Sequence, residues 1–200
     1  MPRLAVSKGE YVSFAHKLLW DSSCRHLTIA DEKPDDSWML TLSAGLLAAA
    51  AFEAYLNYVG EEILPQVWAN ERTFFSSDQY RGTAGKLKRI AEEIPWALPP
   101  KSRKPFSGLV ELQNLRDRMV HAKPKKATFR QVHKAGGGPR LPSVWLYQEY
   151  PPKKIRRLIA DVEAFAVEMH RTIQQSDFAF VIHSAHPLLG MLGYATSTQE

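Results

Sequence analysis

The chain has 200 residues, of which 44% are apolar, 24% charged and 10% aromatic, a composition typical of one globular domain with its own core. Its single cysteine, Cys24, excludes an intrachain disulfide framework and fits a reducing, cytoplasmic compartment. The first residues lack a signal-peptide pattern, and the longest apolar run, residues 38–52, is too short for a membrane span. We therefore expect no membrane association.

The net charge of +5 is unevenly distributed along the chain. Residues 101–157 contain 15 Lys or Arg against 3 Asp or Glu, whereas the remainder of the chain is acidic. Such a segment is where a polyanion would be expected to bind, and a solvated basic surface is the alternative. The candidate RNA contacts within it are Lys123, Lys125, Lys126 and Arg130.

Apolar periodicity predicts two helices in the first third of the chain. Residues 8–24 are predicted as the first, because apolar side chains recur there at helical spacing. The second is long and apolar; it begins after the proline and aspartates at 34–36 and runs to Leu64, where Pro65 ends it.

Two further helices are predicted in the middle of the chain. One begins near residue 82, with Leu87, Ile90 and Ile94 facing the core and Lys86 facing outward with its basic neighbours at 88 and 89. The other spans about residues 105–122, with apolar positions 109, 112, 115, 119 and 122 forming one buried stripe. It ends before Pro124, because a residue that precedes proline is disfavoured in a helix.

The segment 127–150 differs in character, because glycines at 136–138 separate two short runs that favour strands. It is predicted as either a small β-hairpin or a basic loop, inserted before a last helix that runs from the prolines at 151–152 to about residue 175. A tail follows at 177–200 and packs either on the domain or on a partner. The predicted fold class is therefore all-α: an antiparallel up-and-down bundle of four to five helices in a single domain, with its core at about 8–176.

The most informative pattern lies at residues 116–121, which read RDRMVH. Metal-independent RNA cleavage needs a base for the 2′-hydroxyl, an acid for the leaving 5′-oxygen and cations for the phosphorane. His121 suits proton transfer and Arg116 suits phosphate, with Asp117 orienting either side chain and Arg118 assisting. The alternative is a surface ion-pair cluster at the end of a helix.

The spacing of the motif constrains how it works. Arg116 and His121 are five positions apart, or about 140° around a straight helix, so one helix does not direct both at one phosphate. Either the last turn unwinds near Pro124, or two copies of the motif meet across a two-fold axis.

The long apolar helix carries a polar row that starts at Glu53 and continues at Asn57. A buried carboxylate needs a partner, so we expect Glu53 to lie within salt-bridge reach of Arg116 or His121. The alternative is that Glu53 marks the point where this helix reaches solvent.

The motif at 116–121 and the alanine-rich helix that ends in Glu53 and Asn57 together resemble the HEPN superfamily, over about residues 8–175. The resemblance implies a helical bundle that dimerises through its motif helices and needs no cofactor. It also implies a metal-independent endoribonuclease of the toxin–antitoxin or phage-defence type, with Arg116 and His121 at the catalytic positions and Asp117 at the usual polar one. An antitoxin protein is then an expected partner, and a non-catalytic module that binds RNA, nucleotide or such a protein is the alternative.

Two His or Cys pairs suggest a metal site, Cys24 with His26 and His183 with His186. Neither pair is accompanied by a compact set of four ligands, so we expect no metal. The remaining histidines at 16, 133 and 170 are isolated and are interpreted as surface or satisfied side chains.

Overall fold

The computed structural model describes residues 7–121, 145–180, 182 and 184–199. The described chain is mostly helical, with one pair of strands. Its elements in chain order are β1 (Ser7–Ser13), α1 (Ala15–Glu32), α2 (Ser37–Ile63), α3 (Pro65–Trp68), α4 (Glu71–Phe74), α5 (Gly82–Glu93), α6 (Phe106–Val120), α7 (Trp145–Glu149), α8 (Pro152–Gln174) and β2 (Gly193–Gln199).

Helix α2 is the centre of the core. It packs against α1, α6 and α8, and α6 also packs against α8. Alanines at 44, 48, 49 and 51 are buried where α2 meets its neighbours, and Ser23 of α1 donates a hydrogen bond to the Ala44 carbonyl at 2.8 Å. The predicted bounds of this helix are confirmed, because a short 3-10 turn at Pro34–Asp36 precedes it and Pro65 follows it.

By length and composition alone, α2 with its preceding turn could also cross a membrane, the one such helix in the described chain. Of its apolar window, 56% is buried inside the protein, as in the core helix of a folded domain. A helix that is apolar on all sides suits both the core of a folded domain and a membrane, so its apolar character does not distinguish a core helix from a membrane-spanning one.

The first predicted helix is wrong at its start. Residues 7–13 form strand β1, which pairs antiparallel with β2 so that Ser7 lies opposite Gln199 and Ser13 opposite Gly193. The helix begins only at Ala15 and continues to Glu32. Because the partner strand is at the other end of the chain, no local periodicity in the N-terminal segment could have revealed the pairing.

The predicted hairpin is also corrected where it falls on described residues. Residues Trp145–Glu149 form α7, and the Tyr150 amide donates to the Leu146 carbonyl at 2.8 Å. Leu146 and Tyr150 are both buried, at 4% and 3% exposure, because a four-residue spacing puts them on one face of a helix. The first half of the predicted hairpin and the glycines at 136–138 lie outside the described residues.

Candidate functional site

The motif occupies the last turn of α6. This helix forms because its apolar residues recur at three- and four-residue spacing, and Leu109, Leu112 and Leu115 are all at most 3% exposed. Arg116 follows Leu115 directly and therefore lies at the edge of the buried stripe. Its side chain is 26% exposed and contacts the neighbouring helix α2.

Arg116 forms an ion pair with Glu53 of α2, whose side chain is 28% exposed. The other guanidinium nitrogen, Nη1, donates to the Asp117 carboxylate at 2.8 Å. The expected contact between Glu53 and the motif is thus confirmed, with Arg116 as the partner. Both carboxylates stabilise the cation and fix the direction of its planar fork.

Lys86 of α5 extends this contact into a network, and the prediction that it faces outward is wrong. It is 6% exposed, and its Nζ donates to Asn57 Oδ1 at 2.8 Å and ion-pairs with Glu71. The same nitrogen lies 3.8 Å from Glu53 Oε1. A signal for this burial was present, since Lys86 precedes Ile90 by four residues and so shares its face of the helix.

We call the five residues joined in this way the Glu53 network: Glu53, Asn57, Glu71, Lys86 and Arg116. It connects α2, α4, α5 and α6 through charge-assisted contacts. Two carboxylates face two cations, so the charge of the buried Lys86 and those of its partly exposed neighbours compensate one another. Both supporting residues predicted on α2 therefore belong to the network. Glu53 contacts the motif arginine directly, and Asn57 is joined to it through Lys86.

His121 is separate from this network. It is the C-cap residue of α6, its backbone amide donates to the Asp117 carbonyl at 3.0 Å, and its side chain is exposed. No described residue forms a hydrogen bond or ion pair with the imidazole. Because α6 remains helical through Val120, Arg116 and His121 leave the helix in directions about 140° apart.

Arg118, predicted to assist, is committed to another contact. Its guanidinium pairs with both oxygens of Glu149 on α7, with Nη2 to Oε2 at 2.8 Å, and lies 5.8 Å from the centre of the Tyr150 ring. This pair attaches α7 to the motif helix. The predicted RNA contacts Lys123, Lys125, Lys126 and Arg130 lie outside the described residues.

A cavity of about 360 Å³ lies beside the motif helix and is bounded by α6 and the start of α5. Its polar lining residues are Arg81, Thr83, Lys101, Gln113, Asn114 and Asp117. The cavity extends to Asp117, and the cations Arg81 and Lys101 line it, so it is a polar recess next to the motif. Sequence reasoning missed Arg81, since it precedes a helix without belonging to any motif.

Comparison of the chain with protein-family models, curated proteins and solved structures gives no match. Among the described residues, no group of three or more His, Cys, Asp or Glu side chains is placed to hold a metal ion. The site is therefore interpreted from its own residues and geometry.

Proposed function

We propose that the protein is a HEPN-type, metal-independent endoribonuclease that cleaves single-stranded RNA and acts as a homodimer. The observation that carries this proposal is the ion pair between Arg116 and Glu53, which orients the motif arginine at the edge of the core while His121 stays exposed five residues later. Phosphodiester cleavage needs both a permanent cation held in place and an accessible side chain that can exchange a proton.

The proposed reaction is attack of the RNA 2′-hydroxyl on the adjacent phosphorus. The P–O bond to the 5′-oxygen of the next nucleotide breaks, leaving a 2′,3′-cyclic phosphate and a free 5′-hydroxyl. His121 takes the 2′-hydroxyl proton and then gives it to the leaving 5′-oxygen, and Arg116 stabilises the negative charge of the phosphorane. Asp117, which already accepts from Arg116, positions the guanidinium.

The divergence of Arg116 and His121 on one straight helix favours a site built from two chains. Asn114, Asp117 and His121 follow one another at three- and four-residue spacing and are all exposed, so they form a polar row along α6 that no other described helix covers. A second copy packed along this row would bring His121 of one chain towards Arg116 of the other. In this proposal α1, α2, α6 and α8 form the antiparallel bundle that supports the two motif helices.

A toxin–antitoxin or phage-defence role in the cytoplasm is the biological setting that we propose, with an antitoxin-like protein as a further partner. A second candidate function, a non-catalytic module that binds RNA, nucleotide or such a protein, is favoured by one specific observation. Arg116 already contacts two carboxylates within its own chain, Glu53 and Asp117, and these lower its attraction for phosphate.

The decisive experiment incubates the purified protein with single-stranded RNA in EDTA, beside the variant His121→Ala. We expect wild-type protein to release fragments that end in 2′,3′-cyclic phosphate and His121→Ala to release none, while both bind RNA equally at low salt. Equal RNA binding without cleavage by either protein would favour the non-catalytic module. Since the His121 side chain is exposed, its loss should leave the thermal midpoint unchanged, which controls for misfolding.

A further inference from the structure

A second and larger cavity lies away from the motif, at the N-terminus of α1. It has a volume of about 1090 Å³, opens to solvent, and is lined by the start of α1, the second half of α2, Phe180 and residues 184–191. Ligand pockets in proteins are typically about 300–1,000 Å³, so this cavity is large enough for a small organic molecule. The sequence predicted nothing here, because its lining comes from three distant segments.

Among the described residues, Lys17 has no carboxylate partner, and although most of its side chain is covered, its ammonium opens into this cavity. The residue is 5% exposed, and no described residue forms an ion pair or hydrogen bond with its Nζ. The ammonium lies 5.0 Å from the centre of the Phe14 ring and 3.6 Å from the position of a Cβ on Gly190, and both of these residues line the cavity. Burial lowers the pKa of Lys17, since it withdraws the charged form from water.

The first turn of α1 adds backbone hydrogen-bond donors to the same cavity. Its N-cap residue, Phe14, provides no side-chain acceptor for the first turn. The Phe14 carbonyl accepts from the amides of Lys17 and Leu18, so the amides of Ala15 and His16 have no acceptor among the described residues. Free amides at the positive end of an 18-residue helix favour an anion.

Aromatic and apolar side chains form the remainder of the wall. The His16 ring stacks on Tyr58 with 5.0 Å between centroids, and Phe14 meets Tyr58 edge-on at 5.6 Å. Phe180 and Met191, at the edge of the cavity, are 71% and 66% exposed. Exposed apolar side chains around a cavity that contains an unpaired cation are suited to a molecule with an apolar body and an anionic group.

The other charges of the cavity limit how much negative charge such a molecule carries. Glu61 and Glu62 line it and are exposed, so they lie at its solvent side. Burial lowers the pKa of His16 to about 4, with Lys17 and His170 adding to the effect, so this imidazole is neutral at pH 7. One cation facing two carboxylates favours a single negative charge over a polyanion.

We propose that this cavity binds a small organic monoanion, with its carboxylate or sulfonate on Lys17 and the first amides of α1 and its apolar body against Phe14 and Tyr58. The proposal does not depend on RNA cleavage, since neither Arg116 nor His121 lines this cavity.

The test uses two fluorescent probes that share an aromatic body. The probe 1-anilinonaphthalene-8-sulfonate carries one negative charge, and N-phenyl-1-naphthylamine is its neutral counterpart. We expect Lys17→Met to weaken binding of the sulfonate about tenfold or more, since a charge-assisted contact is lost, and to change binding of the neutral probe less than about threefold. Lys153→Met, at an exposed lysine of α8 outside the cavity, should bind both probes as the wild type does.

A second variant locates the probes. Ala54 lines the cavity, so Ala54→Phe should weaken binding of both probes together by filling the space. Because Lys17→Met replaces an ammonium that has no carboxylate partner among the described residues with an apolar side chain of similar length, it should not lower the thermal midpoint, and a loss of binding cannot then be ascribed to unfolding. The inference is wrong if the wild type binds neither probe, if Lys17→Met binds the sulfonate as tightly as the wild type, or if it weakens both probes alike.

Discussion

Arg116 of α6 and Glu53 of α2 form an ion pair across 63 positions of sequence, and this contact joins the motif helix to the most buried helix of the protein. Because of this contact the motif is attached to the core, unlike a surface ion-pair cluster at the end of a helix. Glu53 of helix α2 holds the Arg116 side chain in place, whereas the His121 side chain of the same motif is exposed to solvent. The motif therefore has one structurally constrained residue and one accessible residue.

The strength of this contact is measurable by a double-mutant cycle. We expect Glu53→Ala and Arg116→Ala to show a coupling of about 1 kcal/mol in the free energy of unfolding, because both side chains are partly covered and the guanidinium is held on two sides. The matched control is Asp21 with Arg25, a surface pair with side chains 41% and 75% exposed, for which the coupling should be about 0.3 kcal/mol. Equal couplings for the two pairs would show that Glu53 does not constrain Arg116.

Lys86 gives a sharper stability prediction. Lys86→Met should lower the free energy of unfolding by about 2 kcal/mol, since it leaves the carboxylates of Glu53 and Glu71 with less compensation. Lys88→Met, two positions along α5, removes a lysine that is 47% exposed and should change stability by less than about 0.5 kcal/mol. Urea unfolding followed by circular dichroism compares the two, and a smaller loss for Lys86→Met than for Lys88→Met contradicts the buried network.

Composite catalysis is tested by mixing two inactive variants. If Arg116 and His121 of one site come from different chains, heterodimers of Arg116→Ala with His121→Ala contain one intact site, and the mixture should recover cleavage that neither variant shows alone. If both residues act within one chain, every site in the mixture lacks one of them and no activity returns. The variants need to be mixed under conditions that allow subunits to exchange, with exchange confirmed by differently tagged chains.

His170 links the core to the C-terminal region through a defined tautomer. Its Nε2 donates to the Ser184 carbonyl at 2.7 Å, so its Nδ1 accepts from the Tyr55 hydroxyl at 2.9 Å. Tyr55→Phe leaves this buried nitrogen without a donor and should cost about 1–2 kcal/mol of unfolding free energy. Tyr80→Phe, which removes an exposed hydrogen bond to Glu92, should cost less than about 0.5 kcal/mol in the same assay.

His16 makes stability depend on pH. Burial, together with the charges of Lys17 and His170, lowers its pKa to about 4, whereas the unfolded chain binds the same proton near the ordinary histidine pKa of 6.5. The unfolded state therefore holds more protons between these values, and stability falls as pH drops from about 6.5 to about 4, by at most about 3 kcal/mol. His170 and His186, whose pKa values are also lowered by burial, add to the fall in the same direction.

The variant His16→Phe should reduce the dependence of stability on pH without removing it. Urea unfolding at about pH 7 and about pH 5 gives the difference for each protein, and it should be smaller for the variant. The comparison at about pH 7 is the control, because His16 is neutral there and the phenyl ring can replace its stacking on Tyr58. An unchanged difference would mean that His16 is not the group that titrates.

The sequence by itself determined the elements whose signals are local. The proline and aspartates at 34–36 and Pro65 set the bounds of α2, and periodic apolar residues defined the buried faces of α6 and α8, because helix formation and the burial of a stripe depend on neighbours within a few positions. The contact between Glu53 and Arg116 was also predictable, since a carboxylate on an apolar helix needs a cation and the motif offered one.

Only the tertiary structure decided the features that depend on distant segments. Strand β1 forms because β2 returns to pair with it. Lys86 is buried because α2 and α4 bring two carboxylates and an amide to its side of α5, and Lys17 lies in a cavity lined in part by Phe180 and residues 184–191. In each case a side chain or backbone edge that looks solvent-exposed in sequence is covered by a part of the chain far away. Whether a residue is buried depends on which distant segments pack against it, whereas local periodicity shows only which face of its own helix the residue occupies.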